Sequence, residues 1–290
     1  MEQNYETKAS EHVKKIVASI KEQTAMTAYK LEILPNSTPD IFDSKFGGVP
    51  YWDMEKEYPI DGYGKKMMLL AQINFTKAKL EDERLPKHGM LQFFLASDDD
   101  IFGMDCEGDA TSQKNFRVIY HESINLSVTK EQVLSLDIPL ATEDDTQPYS
   151  DCSPLYKEAK VAIRKTTASM GVCDYRFDKV FAETVKNVLG EEIQDMDDYD
   201  YLCEADREYL FEELYPLGHW ILGYPYFTQF DPRSEEDVYF DTLLFQMDSD
   251  MVDGEDYVLW GDCGVANFFI NSEALKNKDF GKVLYNWDCC

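Results

Sequence analysis

The chain has 290 residues, of which 44% are hydrophobic and 13% aromatic, a composition typical of a globular protein rather than a disordered one. Its 56 acidic residues outnumber its 28 basic residues and give a net charge of −28. Nucleic acid and membrane surfaces are therefore not expected as partners, because phosphate groups are held by clustered lysine and arginine. The charge favours either solubility alone or a basic protein partner.

The N-terminal segment and the cysteines both favour a cytoplasmic protein. No apolar run approaches the roughly 20 residues that a membrane-spanning helix needs, and the N-terminal residues lack the apolar region of a secretory signal. The seven cysteines are widely spaced and include no C-x-x-C pair, so we expect reduced thiols.

The predicted elements begin with an amphipathic helix over about residues 6–25, where Val13, Ile16, Val17 and Ile20 recur at helical spacing. Four strands follow in the first half of the chain, at 27–35, 67–75, 90–97 and 115–124.

The middle of the chain is different in character. Residues 142–154 are polar and indicate a linker, and an acidic helical insert is predicted over about 176–215, with Gly190 ending its first helix. Ser272 is expected to cap a short helix, EALKN, near the C-terminus. Strands are predicted for the remainder at 238–248, 257–262, 264–272 and 281–288.

Two similar turns, FGGVPYW at 46–52 and ILGYPYF at 221–227, indicate an internal repeat. When residues 46–97 are laid over 221–272, ten identities occur in order. They are Gly48/Gly223, Pro50/Pro225, Tyr51/Tyr226, Leu69/Leu243, Leu70/Leu244, Gln72/Gln246, Gly89/Gly264, Phe93/Phe268, Phe94/Phe269 and Ser97/Ser272. We interpret the pattern as a duplication; the alternative is two unrelated hairpins of similar composition.

The apolar strands LLAQI and LLFQM must be covered on both faces. Gln72 and Gln246 would then be buried amides, and we expect them to bond backbone, for example that of the Gly-Pro loops or of the other repeat. The predicted fold class is α+β: mainly antiparallel β, with two pseudo-symmetric β repeats, an N-terminal helix and helical inserts between the repeats, over residues 1–290 as a single domain.

Six motifs in order resemble the YwqG family of bacterial proteins, which carries a domain of unknown function. They are SKFGGVP (44–50), LLAQIN (69–74), HGMLQFF (88–94), LGYPYFTQFD (222–231), LLFQMDSD (243–250) and WGDCGVANFFI (260–270). The resemblance implies a cytosolic bacterial protein with a mainly β, duplicated α+β fold, and it supplies no reaction. Relatives occur near toxin and immunity genes, which suggests an immunity-like role. The acidic segment 191–213 departs from the family pattern.

No catalytic or metal signature is found, so the protein is not expected to be an enzyme and no cofactor is implied. The four histidines do not form H-x-x-x-H or H-E-x-x-H. Cys263 has acidic sequence neighbours, whereas a nucleophilic thiolate needs a cationic one. QMDSDMVDGED lacks the full pattern of a calcium loop.

Polar residues beside the apolar strands are the candidates for a ligand site in a cleft between the repeats. They are Gln72, Asn74, Gln229, Asp231, Gln246, Asp248, Trp260 and Asp262. The same residues could instead satisfy buried backbone. Two functions stay open: a non-catalytic binding protein, immunity-like, whose acidic surface meets a basic protein partner, and a small-molecule binder or enzyme that uses the cleft. Oligomeric state is not predicted.

Overall fold

The computed structural model describes residues 9–98, 100–105, 108–140, 152–193, 201–235 and 238–289. Their main feature is an antiparallel sheet of ten strands, and helices are few. The elements in chain order are α1 (Glu11–Gln23), β1 (Met26–Leu34), β2 (Lys45–Phe46), β3 (Met68–Asn74), α2 (Phe75–Ala78), β4 (Met90–Leu95), β5 (Phe116–His121), α3 (Lys130–Leu134), β6 (Ala159–Ala168), α4 (Phe177–Leu189), α5 (Glu204–Leu214), β7 (His219–Ile221), β8 (Thr242–Asp248), β9 (Asp250–Val252), β10 (Glu255–Val258), β11 (Val265–Ile270), α6 (Ser272–Lys276) and β12 (Leu284–Asp288).

The strand order is β12-β11-β8-β7-β1-β6-β2-β3-β4-β5, with β9 and β10 forming a separate hairpin. The centre is the long β1–β6 pair, which runs from Met26 opposite Ala168 to Leu34 opposite Lys160. We call β6 and β2–β5 the first half-sheet, and β1, β7, β8, β11 and β12 the second. β1, the long strand of the second half-sheet, comes in sequence before β2–β5 of the first half-sheet. In the same way β6, the long strand of the first half-sheet, comes before the remaining strands of the second half-sheet.

The sheet curves until its two ends approach each other. Gln113 joins them: its Oε1 accepts the Val118 N–H of β5 at 2.8 Å, and its Nε2 donates to the carbonyl of Phe280, ahead of β12, at 2.7 Å. The rings of Phe116 and Tyr285, from the two end strands, lie 5.0 Å apart. The interior is a continuous apolar core contributed by both half-sheets.

Both faces of β3, β4, β8 and β11 are covered, because every residue of these four strands is buried. Helices α1, α4 and α5 form a second apolar cluster outside the sheet, and the loop around 41–69 with α3 forms a third. Ser10 caps α1 by accepting the Val13 N–H, and Gly190, at φ 75°, ends α4 in the left-handed region.

The mainly antiparallel fold agrees with the sequence, although several details differ. Asn271, not Ser272, caps α6, because the Asn271 side chain accepts the N–H groups of the first turn. The long strand β6 was not predicted. The linker predicted at 142–154 falls largely outside the described residues. The longest described helices have 13 residues, and none of the helices described is long and apolar enough to cross a membrane.

Candidate functional site: the amides and loops beside the central strands

Gln72 holds the first Gly-Pro loop from the middle of β3. It is fully buried, since β3 is covered on both faces. Its Oε1 accepts the Tyr51 N–H at 3.0 Å, and its Nε2 donates to the carbonyls of Ile41 and Asp43, both at 2.8 Å. Ile41 and Asp43 lie just before β2, and Tyr51 follows the Gly-Pro turn just after it, so both segments that flank β2 are held. The glutamine therefore supplies the hydrogen bonds that this buried loop backbone needs.

Gln246 does the same in β8. Its Oε1 accepts the Tyr226 N–H at 2.8 Å, and its Nε2 donates to the carbonyls of Pro216 and Gly218 at 2.9 and 2.8 Å. The prediction that both glutamines are buried and bonded to loop backbone is confirmed. In both places a strand glutamine fixes the approach of a tyrosine and the loop before it.

The first half-sheet extends this arrangement into a chain of side chains that the sequence did not reveal. Gln92 donates to Gln72 Oε1 at 3.1 Å and to the Tyr51 carbonyl at 2.7 Å. Its own Oε1 must then accept, so His121 Nε2 carries a hydrogen and donates to it at 2.9 Å. Burial lowers the pKa of His121 to about 4, which keeps the imidazole neutral. Asn267 takes the corresponding place in the second half-sheet.

Lys45, two residues before Gly47, is 1% exposed. Its Nζ donates to the Val49 carbonyl inside the loop, and Glu158 Oε2 lies 3.9 Å away. A Cβ on Gly48, whose φ is +70°, would overlap this carboxylate, so the glycine makes room for it. Burial lowers the pKa of Lys45 to about 8. The lysine and the glycine pair together shape the first loop.

Asn74 and Asp248 end their strands in corresponding ways. The Asn74 N–H donates to Ser44 Oγ at 2.9 Å, and the Asp248 N–H donates to His219 Nδ1 at 3.1 Å. His219 Nε2 therefore carries the hydrogen and faces Asp250 Oδ2 at 3.1 Å. Burial raises the pKa of Asp248. Both candidates thus secure the segment that precedes the Gly-Pro turn.

Asp231 belongs to a buried ionic cluster. Arg233, whose side chain is 2% exposed, donates to both Asp231 oxygens at 2.9 and 2.7 Å and approaches Asp174 Oδ2 at 3.3 Å. Gln229, which is exposed, donates to the Cys289 carbonyl at 2.6 Å. These two residues connect the segment after the second turn to the helical region and to the end of β12.

Trp260 is buried in an aromatic cluster, with ring centroids 5.5 Å from Phe102 and 6.0 Å from Trp287. Its Nε1 has no hydrogen-bond partner among the described residues. Asp262 is exposed on the following turn. These two candidates, only two residues apart in sequence, therefore lie in opposite environments.

The eight candidates do not converge on one cleft. Gln72 and Asn74 serve the first loop, and the others serve the second loop, the helical region, the aromatic cluster of Trp260 or the surface. Where the half-sheets face each other, rings fill the interior: Phe93 lies 4.7 Å from Phe245 and 4.9 Å from Phe268. Phe46 contacts His219 edge-on at 4.8 Å.

The acidic surface is most regular on α5. Glu204, Glu208 and Glu212, which we call the glutamate stripe, are all exposed, follow i, i+4, i+8 spacing and form no ion pair with a described residue. Leu202 and Phe211 line a cavity of about 540 Å³ beside the stripe. The runs of aspartate in the sequence are expected at the surface, because unpaired buried carboxylates are costly, and Asp98, which pairs with Lys65, and Asp100 are exposed. The others lie outside the described residues: Asp99, Asp144, Asp145, Asp195, Asp197 and Asp198.

The geometry thus defines a mainly antiparallel β protein whose conspicuous polar side chains organise its own loops. Among the residues that the structure covers, no cluster of three potential metal ligands occurs. The model of the family described as "Domain of unknown function (DUF1963)" matches residues 44–289, so the chain belongs to that family, and the resemblance noted from its motifs is confirmed. Comparison with curated proteins finds no match.

Proposed function

We propose that the protein is a non-catalytic cytoplasmic binding protein whose acidic surface receives a basic protein partner. The glutamate stripe of α5 carries the proposal. Like charges four residues apart on a helix destabilise it by about 0.2–0.5 kcal/mol per pair, and the stripe places Glu208 between two such neighbours without a described counter-ion. The repulsion between these glutamates does not stabilise α5 itself, and a role in binding the cations of a partner would explain why they are placed together.

The cavity beside the stripe supports a particular kind of partner. Leu202 and Phe211 supply apolar surface, and Glu204 and Glu208 stand next to them together with Arg207. A basic amphipathic helix could place apolar side chains in this groove and lysine or arginine against the stripe. The long-range field of a chain with a net charge of −28 would accelerate its approach.

The alternative, a small-molecule binder or enzyme in a cleft between the repeats, receives less support. The side-chain amides of Gln72 and Gln246 are hydrogen-bonded to loop backbone, and the Asp231 carboxylate accepts hydrogen bonds from Arg233. Polar groups already satisfied within the protein have little capacity left for a ligand.

The proposal includes an internal duplication, with 46–97 and 221–272 as repeats. The mirrored strand order and the matching contacts of Gln72 and Gln246 support it. Superposing the Cα atoms of the two segments is the direct test, and different neighbours for the two glutamine-bearing strands would argue against it.

The binding proposal is tested with two triple variants of equal charge. E204Q/E208Q/E212Q removes the stripe, and E55Q/E57Q/E83Q removes three other exposed glutamates that form no ion pair with a described residue. The probe is a labelled amphipathic helical peptide of lysine and leucine, and its association rate is measured by stopped-flow fluorescence. The rate should fall steeply as salt shortens the Debye length from about 30 to about 8 Å. The stripe variant should bind about tenfold or more weakly and the control variant normally. Equal binding by both variants, or an association rate independent of salt, would show that the glutamate stripe is not the binding surface.

A further inference from the structure

A second surface cavity lies where the two ends of the sheet meet. Its volume is about 590 Å³, and its walls are the edge strand β5 and the turn 278–281 ahead of β12. The residues that carry the following argument are Lys114, Arg117, Tyr120, Lys278 and Phe280, which we call the seam site.

The seam site is cationic in a strongly acidic chain. Lys114, Arg117 and Lys278 line it, and none of its lining residues is acidic. Lys114 is exposed and forms no ion pair with a described residue. Lys278 contacts Glu122 at 2.8 Å. With twice as many acids as bases in the chain, three cations around one cavity would be expected to pair with carboxylates of the protein itself. Among the described residues only Lys278 does so.

Arg117 is held in place without being neutralised. Its Nε donates to the Gln113 carbonyl at 3.0 Å, and its Nη2 donates to the Ile60 carbonyl at 3.2 Å. Both acceptors are uncharged backbone groups, so the guanidinium keeps its positive charge and further N–H donors. A positioned guanidinium recognises a phosphate or carboxylate with little loss of side-chain entropy.

The cavity also offers a planar apolar wall. The rings of Tyr120 and Phe280 lie 5.6 Å apart, and Lys278 Nζ lies 5.9 Å from the Tyr120 ring centroid. A planar group of a ligand can lie against these rings while its anionic group faces the cations.

The edge of β5 adds a main-chain donor. The Val118 N–H donates to the Gln113 side chain and therefore points away from β4. In an antiparallel pair, residues two apart point their backbone groups to the same side, so the Tyr120 N–H also points outward, beside the cavity that Tyr120 lines. β5 is the end strand of the sheet, so no further strand of the described residues takes this position.

We propose that the seam site binds a small organic oxyanion, a phosphate or carboxylate that carries a planar apolar group. Arg117 and Lys114 hold the oxyanion, and Tyr120 and Phe280 hold the planar group. The ligand has the opposite charge to the partner proposed for the glutamate stripe, so the two proposals stand or fall separately.

Isothermal titration calorimetry with phenyl phosphate, benzoate, inorganic phosphate and benzyl alcohol tests the site. Phenyl phosphate or benzoate should bind and inorganic phosphate and benzyl alcohol should bind at least about tenfold more weakly, because each lacks one of the two recognised groups. A stronger response to phenyl phosphate than to benzoate assigns the oxyanion as phosphate, and the reverse assigns it as carboxylate. Failure of both aromatic anions to bind at millimolar concentration overturns the proposal.

Variants separate this site from general charge. K114Q removes an exposed cation that forms no ion pair with a described residue, so it should leave the fold intact and weaken binding about tenfold, the usual effect of losing a charge-assisted hydrogen bond. R117Q should weaken it further, with a thermal melt to show that the protein stays folded. K15Q removes an exposed lysine of α1 that has no described ion pair and should bind normally. Equal weakening by K15Q and K114Q would show that only net charge matters and would reject the site.

Discussion

Gln72 and Gln246 stand at corresponding places in the two half-sheets and make the same contacts. Each side-chain carbonyl accepts the N–H of a tyrosine, Tyr51 or Tyr226, and each amide nitrogen donates to two loop carbonyls. The segment around each repeated Gly-Pro turn is therefore held against a strand by the hydrogen bonds of a glutamine in that strand. This role is structural, and it sets expectations for mutation.

Gln72→Leu and Gln246→Leu should each lower the free energy of unfolding by roughly 1–3 kcal/mol for every backbone group left unsatisfied. Gln72→Glu should be worse at neutral pH, because it buries a charge without a cationic partner. Urea denaturation gives these values, with the exposed Gln229→Leu as a control that loses a single hydrogen bond. Unchanged stability together with lost stabilisation by a ligand would instead favour the cleft.

Arg233→Met should destabilise the protein by about 3–5 kcal/mol, because the Asp231 side chain would remain buried as a carboxylate without its cation, whereas Asp174 would keep its ion pair with Arg176. Arg164→Met provides the contrast. Arg164 pairs with Glu32 at 2.8 Å but both side chains are exposed, so the change should be about 1 kcal/mol or less. Similar losses for the two variants would show that burial does not decide the strength of these pairs.

His121 should make the protein sensitive to acid. Its pKa in the folded state is about 4, against an ordinary value of 6.5, because of burial. Between these values the unfolded chain binds more protons, so the free energy of unfolding should fall as the pH is lowered from 6.5 towards 4. Protonation would also leave a buried Nδ1–H that has no acceptor among the described residues. His121→Gln, which can still donate to Gln92, should show a shallower fall across this interval; identical slopes would exclude His121.

Lys45 should act in the opposite pH range. Burial lowers its pKa from 10.5 to about 8, so the folded protein releases a proton that the unfolded chain keeps. The contribution of Lys45 to the free energy of unfolding should therefore rise between pH 8 and 10.5, and the full burial penalty should be present below pH 8. The difference between the wild type and Lys45→Met isolates this term from the titration of other groups. A difference that stays constant from pH 7.5 to 10 would contradict it.

Gly89 and Gly64 have nearly the same positive φ, +86° and +83°, but different surroundings. A Cβ on Gly89 would overlap the His121 carbonyl, whereas nothing lies within 4 Å of one on Gly64. Gly64→Ala should cost about 1 kcal/mol for the backbone conformation alone. Gly89→Ala should cost clearly more, because β4 and β5 must separate. Equal melting temperatures for the two variants would show that the strands can adjust.

Local pattern predicted the apolar strands well, because β3, β4, β8 and β11 are continuous buried runs. It missed β6, whose buried positions alternate only at its start and give way to an exposed polar run over 164–167. That strand is defined by its pairing with β1, which comes from more than a hundred residues earlier in the sequence and leaves no local signal.

The same limit applies to the side chains beside the loops. The buried amides could be foreseen, because a glutamine inside an apolar strand must find partners. The link from Gln92 to His121 depends on how β4 pairs with β5, and the link from Lys45 to Val49 depends on how the chain turns after β2. The ionic cluster of Arg233 joins segments far apart in sequence, and composition alone could not separate it from surface charge.

The exchange of long strands between the half-sheets has a consequence for the integrity of the chain. Because β1 lies in the second half-sheet and β6 in the first, a cut in the backbone between β5 and β6 would not yield two separable pieces. The N-terminal fragment would still contribute β1 to the second half-sheet, and the C-terminal fragment would still contribute β6 to the first. A protease that nicks this protein there should produce two bands on a denaturing gel and one particle in solution.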